Sequence, residues 1–373
     1  MDRHLLNRRQ FSARCAAFGL SFPALSATLA AQAAAQVPGT GAASKPAART
    51  VRLPDGTTVA PLGQGCWHLG QGRHPPAVEE EALRTGISLG MTLIDTSGNY
   101  GNGRSEQFIS HVIAGQRERI FLVTKVEASE VSGDGIARAC AASLARLGTD
   151  HLDLYLLHSP VPSAQLSGVV AAFEQLRAAG KIRAWGVSNF NVDEMEDLFR
   201  VPDGHRCATN QVPYSLNYRH IEPAVLLWCK QHNMPVMAYS PLGGDHNLLV
   251  GDRTLAQVGT IHGCSAAAVA LAWVIRSGSV IAIPESGSPA HVRENAVALS
   301  VALTPQDLQT LGAAFPGPFG ATAYADSSGD RLAQLMRPAT HSRDLPLDGQ
   351  RAHGELLPHD RRAVIEFEPG GLE

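Results

Sequence analysis

A short apolar run followed by a helical pattern recurs eight times between residues 51 and 315, and this alternation constrains the fold more than any other feature. The apolar runs fall at residues 62–67, 92–95, 120–125, 152–158, 182–187, 209–212, 235–239 and 280–283. Most are continuous rather than alternating, as strands covered on both faces require. Helical patterns separate them at 77–89, 105–114, 135–147, 169–179, 192–199, 222–232 and 266–276, and 291–298 and 305–314 follow the last run. Eight such units predict an α/β chain folded as a single (β/α)8 TIM barrel. An open doubly wound sheet competes with this, but it would carry G-x-G-x-x-G after its first strand. Here Gly63-Gln64-Gly65-Cys66-Trp67-His68 breaks the third glycine position. Residues 51–59 read as an N-terminal β-hairpin turning at Asp55-Gly56.

The flanks have other compositions. Asn7-Arg8-Arg9-Gln10-Phe11 is a twin-arginine pattern, and the mildly apolar residues 15–31 end in Ala33-Ala34-Ala35. Residues 1–35 are therefore expected to be a twin-arginine signal peptide, which makes the Tat export machinery a partner and the periplasm the destination. That stretch is too short and too rich in Ser, Thr and Pro for a stable membrane span. Residues 36–49 read as a linker, 50–315 as the barrel, and 316–373 as a polar, partly disordered C-terminal tail. The near half of the tail, with Phe315, Phe319 and Tyr324, is a candidate cover for the barrel mouth. With 31 basic and 34 acidic residues the net charge is −3, and no basic run argues for a nucleic-acid partner. Cys15 leaves with the signal, and the other five cysteines are scattered without a C-x-x-C pair. They read as small buried side chains, and no histidine spacing suggests a metal site.

A barrel gathers the carboxyl ends of its strands on one rim, where the active site lies. Three successive strands end in polar groups: Asp95 with Tyr100 in the glycine-bracketed loop after it, then Lys125, then His158. This set suits the polarisation and protonation of a carbonyl. Tyr100 would donate to the oxygen as it becomes an alkoxide. An ammonium about 4 Å away at an effective dielectric near 20 contributes roughly 4 kcal/mol. Lys125 is thus expected to lower the phenol by about 2–3 units from its ordinary value near 10. Asp95 would keep the buried Lys125 charged, and a neutral His158 would hydrogen-bond and orient the carbonyl. Trp67, His68 and Tyr214, at strand ends, are expected to line the substrate pocket. Ser188, Asn189 and Gln211 offer hydroxyl and amide groups suited to a carboxamide, and Tyr239 offers a ring for stacking. Ser288-Pro289 would cap and begin a helix whose amides face a phosphate.

These motifs resemble the aldo/keto reductase family over about residues 51–315. Asp95 and Tyr100-Gly101 with Ser105-Glu106, then Thr124-Lys125, then Leu157-His158, are similar to the family's catalytic tetrad pattern. Gly186-Val187-Ser188-Asn189-Phe190 looks like its second signature. Tyr239-Ser240-Pro241-Leu242 and Ile283-Pro284-Glu285-Ser286 look like its nucleotide-side segments, and Glu294-Asn295 like a pair facing the adenine. The resemblance implies NAD(P)H-dependent reduction of an aldehyde or ketone to an alcohol, or the reverse. Many members carry a lysine where this chain has Glu285, and an arginine where it has His291. Both cations grip the 2′-phosphate, so the resemblance implies a weakened NADP(H) preference, with NAD(H) tolerated or favoured. Two other functions fit the same motifs: a non-catalytic nicotinamide-nucleotide-binding partner, and an exported sugar or alcohol dehydrogenase with tightly held cofactor.

Overall fold

The computed structural model describes residues 49–244 and 248–318. The expected signal peptide, the expected linker up to residue 48, and the expected tail from residue 319 with Phe319 and Tyr324 lie outside the described residues. The hairpin forms where expected, with β1 (Val51–Arg52) antiparallel to β2 (Thr58–Val59). The Asp55 carboxylate accepts the Thr57 N–H at 2.9 Å, which stabilises the turn. Val51, Leu53 and Val59 bury their side chains in the cluster formed by Leu93, Val123, Leu154, Met237 and Ile281.

Eight parallel strands follow: β3 (Gln64–Gly65), β4 (Leu93–Asp95), β5 (Phe121–Val126), β6 (Leu152–Leu157), β7 (Ile182–Ser188), β8 (Asn210–Pro213), β9 (Val236–Tyr239) and β10 (Val280–Ala282). Each pairs with the next in sequence. The last also meets the first, because Leu62 bridges Ala282 and Gly65 bridges Glu285. Along this seam the Gly63 N–H reaches the Ala282 carbonyl at 2.8 Å and the Gly65 N–H reaches that of Pro284 at 3.0 Å. The sheet is a closed barrel, and the expected architecture holds.

The helices around it are α1 (Pro76–Ser88), α2 (Arg104–Ile113), α3 (Gly135–Leu147), α4 (Ser163–Ala178), α5 (Val192–Arg200), α6 (Leu227–Gln231), α7 (Arg253–His262), α8 (Ala266–Val274), α9 (Pro289–Ala296) and α10 (Pro305–Ala314). Between the helices and the barrel lies the larger apolar layer. In it Phe173 stacks on Trp185 with ring centroids 5.5 Å apart and meets Tyr155 edge-on at 5.7 Å. Burying each such side chain contributes roughly 1.5–3 kcal/mol.

Two local patterns differ from expectation. Helix α7 was not anticipated, although the Asp252 carboxylate caps it at the Leu255 N–H and Gly263 ends it in a left-handed conformation. The expected helix 222–232 splits into a π-helical stretch, Glu222–Leu226, and the short α6, with Pro223 near the start lacking an N–H to donate.

At Gly65 the seam leaves no room for a side chain. A Cβ at Gly65 would lie 2.8 Å from the Ile283 carbonyl oxygen, which belongs to the rigid backbone of the opposite strand. Gly65→Ala is expected to cost about 1–3 kcal/mol through this overpacking. Urea denaturation followed by circular dichroism measures it, and unchanged stability would show a seam with slack.

Candidate active site

Three of the four tetrad candidates are joined by hydrogen bonds, and the fourth adjoins them. Lys125, near the end of β5, is fully buried and donates from Nζ to Asp95 Oδ1 at 2.6 Å, to the Thr96 carbonyl at 2.8 Å and to the Tyr100 oxygen at 3.2 Å. Asp95 ends β4, and its other oxygen accepts from Gln211 Nε2 at 2.8 Å. The His158 ring meets the Tyr100 ring edge-on at 5.8 Å. Its Nδ1 faces the Glu127 carboxylate, with Ser97 Oγ at 3.4 Å. One strand end thus supplies the cation, its neighbour the counter-ion, and the intervening loop the phenol.

The electrostatic expectation for the phenol needs correction. Burial raises the Tyr100 phenol and outweighs the lowering by Lys125, so the group stands above its ordinary value. The physical reason is that burial disfavours the phenolate more than the neighbouring ammonium favours it, and the Asp95 carboxylate adds to the rise. Burial works against the charged Lys125 too, but Asp95 overcomes it and the ammonium is held above its ordinary value. The phenol therefore carries its proton at neutral pH, with a fixed positive charge beside it.

The other predicted residues divide between the rim and the core. Ser188, Asn189, Gln211 and Tyr239 form a polar row across β7, β8 and β9. The Tyr239 hydroxyl donates to Asn189 Oδ1 at 3.0 Å, Asn189 Nδ2 donates to the His158 carbonyl at 3.1 Å, and Ser188 Oγ donates to the Gln211 carbonyl at 2.8 Å. Asn189 and Ser240 hold positive φ angles of 65° and 51°, and such non-glycine strain gathers at functional sites. Trp67 is half exposed, stacks on His68 at 4.3 Å and stands 6.5 Å from Tyr100. Ser288 caps α9 with Ser286 and His291 beside that helix start, while Glu294, exposed, and Asn295, buried, lie near its other end.

Four residues are placed differently from the sequence-based expectation. Tyr214 is buried away from the rim, with its hydroxyl donating to Glu222 at 2.8 Å and its ring against Trp273 at 5.4 Å. It follows Pro213 at the end of β8 and turns into the helix layer. Leu242 and Ile283 are also buried in apolar clusters, so their side chains serve packing. Glu285 turns across the seam, where one oxygen accepts the His68 backbone N–H and the other meets His68 Nδ1, each at 2.9 Å. Its carboxylate is committed to the first rim loop rather than open to a ribose.

Sequence reasoning missed the scaffold beneath the tyrosine loop. Glu106 on α2 is fully buried, accepts from Thr124 Oγ1 at 2.6 Å and pairs with Arg146 Nε of α3 at 2.6 Å. Thr124 precedes Lys125, so this pair ties the loop after β4 to the strand that carries the ammonium. Arg146 also fills the space beside Gly103, where a Cβ would lie 2.5 Å from its Cδ. Only Ser105-Glu106 itself gave a signal, read as a helix start. Arg146→Met leaves a buried carboxylate without its cation and is expected to cost about 3–5 kcal/mol. Adding Glu106→Gln should recover part of that loss. Urea denaturation of both variants checks the pair.

Comparison with known proteins identifies the family. The sequence model of the Aldo/keto reductase family matches residues 61–314. The chain is 44% identical to methylglyoxal reductase YeaE of Escherichia coli over 278 residues, 74% of this chain and 98% of that protein. An aldo/keto reductase from Klebsiella pneumoniae, solved with NADP and acetate, is 42% identical with a TM-score of 0.70, covering 73% of this chain and 96% of that one. The thermostable aldo-keto reductase Tm1743 is 32% identical with a TM-score of 0.64, covering 70% of this chain and 98% of that one. The chain belongs to the aldo/keto reductase family.

Proposed function

We propose that this protein reduces an aldehyde or ketone to an alcohol with NADPH or NADH, and that Tyr100 is the proton donor. The observation that carries this reading is the phenol 3.2 Å from an ammonium that Asp95 holds at 2.6 Å. The rim residues fit a nicotinamide nucleotide. Ser188, Asn189 and Gln211 present hydroxyl and amide groups beside the partly exposed Tyr239 ring, and the capped start of α9 suits a phosphate. The bound cofactor supplies the hydride. Tyr100 gives its proton to the carbonyl oxygen as charge develops there, and Lys125 stabilises the phenolate left behind. His158 faces the same space and orients the carbonyl. Methylglyoxal, named for the E. coli relative, is the first substrate to try.

A purely nucleotide-binding role would not require a phenol, a buried ammonium and an imidazole assembled in one place. Turnover of 4-nitrobenzaldehyde tests the proposal. Tyr100→Phe is expected to lower kcat by at least about 10²-fold while cofactor binding persists. A variant that reduces the aldehyde at the normal rate overturns the assignment.

Cofactor choice rests on Glu285 and His291. Glu285 places no cation on the nucleotide side, so NADPH and NADH are expected to bind within about tenfold of each other, or 1.4 kcal/mol. Fluorescence quenching titrations measure both, and a much tighter NADPH contradicts the reading. The Arg8-Arg9 pattern supports export through the Tat machinery to the periplasm, with a mature chain that begins near Gln36. The mass of the N-terminal peptide distinguishes that chain from one that retains Met1.

A further inference from the structure

We propose that Glu285 is a positioning residue that sets which carbonyl compounds the enzyme prefers: from across the barrel seam it holds His68, and with it the Trp67 ring, as a flat wall for aromatic aldehydes beside Tyr100. This rests on the carbonyl-reductase reading above. Glu285 stands just beyond β10, where Gly65 bridges it and the Gly65 N–H reaches the Pro284 carbonyl at 3.0 Å, so its main chain is fixed to β3. One of its oxygens accepts the His68 backbone N–H at 2.9 Å, a donor whose proton does not titrate. The other lies 2.9 Å from His68 Nδ1. A main-chain contact and a ring contact to one carboxylate together fix the imidazole plane. That plane carries the indole, since Trp67 stacks on it with centroids 4.3 Å apart and planes inclined by 28°.

The rest of this loop is held without Glu285. Ser105 Oγ donates to the Cys66 carbonyl at 2.7 Å, and Gln71 Nε2 donates to the Trp67 carbonyl. The buried Glu79 accepts the Gly70 N–H at 2.8 Å and the His74 N–H at 3.3 Å. The backbone on either side of the aromatic pair is therefore tied down, and among the described residues Glu285 is the only side chain that hydrogen-bonds His68. Losing it frees the imidazole and the indole without unravelling the loop. Trp67 is half exposed, and its ring centroid lies 6.5 Å from that of Tyr100. A carbonyl compound whose oxygen meets the Tyr100 hydroxyl thus has the indole within reach of its carbon side. An aryl aldehyde gains a ring contact there, and a small aldehyde without a ring does not. Glu285 acts on this preference through His68 and Trp67.

The test uses the full chain with Glu285→Ala and Glu285→Gln, and measures kcat/KM for 4-nitrobenzaldehyde and for methylglyoxal at saturating NADPH. A change in cofactor binding or in general stability lowers both values together, so the readout is their ratio. Glu285→Ala is expected to lower the ratio of aryl to small aldehyde by about five- to tenfold, the size of one lost aromatic contact. Glu285→Gln keeps an oxygen for the His68 N–H and should retain most of the wild-type ratio. In a Trp67→Ala background, Glu285→Ala should leave the ratio where Trp67→Ala alone put it, because the effect travels through the indole. Of the four tryptophans Trp67 is the exposed one, while Trp185, Trp228 and Trp273 are buried, so acrylamide quenching of the free enzyme reports on it. Glu285→Ala should increase that quenching, and Glu285→Gln should not. An unchanged ratio in Glu285→Ala overturns the proposal, as does an equal drop in the Trp67→Ala background. Failure of the wild type to reduce any carbonyl would defeat the reductase reading instead, and the quenching would still decide whether Glu285 holds the wall.

Discussion

One buried ammonium sets the terms for the rest of the rim. Removing Lys125 from water is unfavourable, and three oxygens from the β4 side compensate for it: Asp95 Oδ1, the Thr96 carbonyl and the Tyr100 phenol. Such a charge is stable only where those oxygens are already in place. The loop from residue 96 to 103 therefore has little freedom, and the fully buried Glu106, between Thr124 and Arg146, removes what remains. Stability and reactivity use the same contacts here. The counter-ion that permits burial of the cation also draws it away from the phenol, which burial has already pushed above its ordinary value.

The fold was legible because its signal is periodic. Continuous apolar runs alternating with helical patterns leave few ways to cover every strand, and a barrel is the economical one. The tetrad candidates were legible for a related reason: Asp95, Lys125 and His158 each end an apolar run where packing alone would not favour a carboxylate, an ammonium or an imidazole, and Tyr100 stands in the glycine-bracketed loop after the first of them. Tyr214 looked the same in one dimension, since it also follows a short strand. What decided its direction was the partner it meets, Glu222 and Trp273 in the helix layer, and no local pattern announces them. Helix α7 had readable ends in Asp252 and Gly263, but its first residues follow a glycine-rich loop that masked the start.

Side-chain pairings across long separations were the least legible. Glu285 invited comparison with a cation-bearing segment, yet its oxygens meet a histidine 217 residues earlier in the chain. Glu127 carried no signal in the sequence, and only the end of β6 brings His158 beside it. In both cases the residue type was visible and its partner was not. Charge pairs at a barrel rim depend on which strands become neighbours, and that is a property of closure rather than of local sequence.

The seam between β3 and β10 has a temporal consequence. Its bridges join residues 62 and 65 to residues 282 and 285, the two ends of the barrel in sequence. Contacts of such range form only after the ordering cost of the intervening chain has been met. A growing polypeptide can pair its inner strands as they emerge. The wall holding Trp67 and His68 must wait for the last strand, so binding competence arrives in a single late event rather than by increments during synthesis.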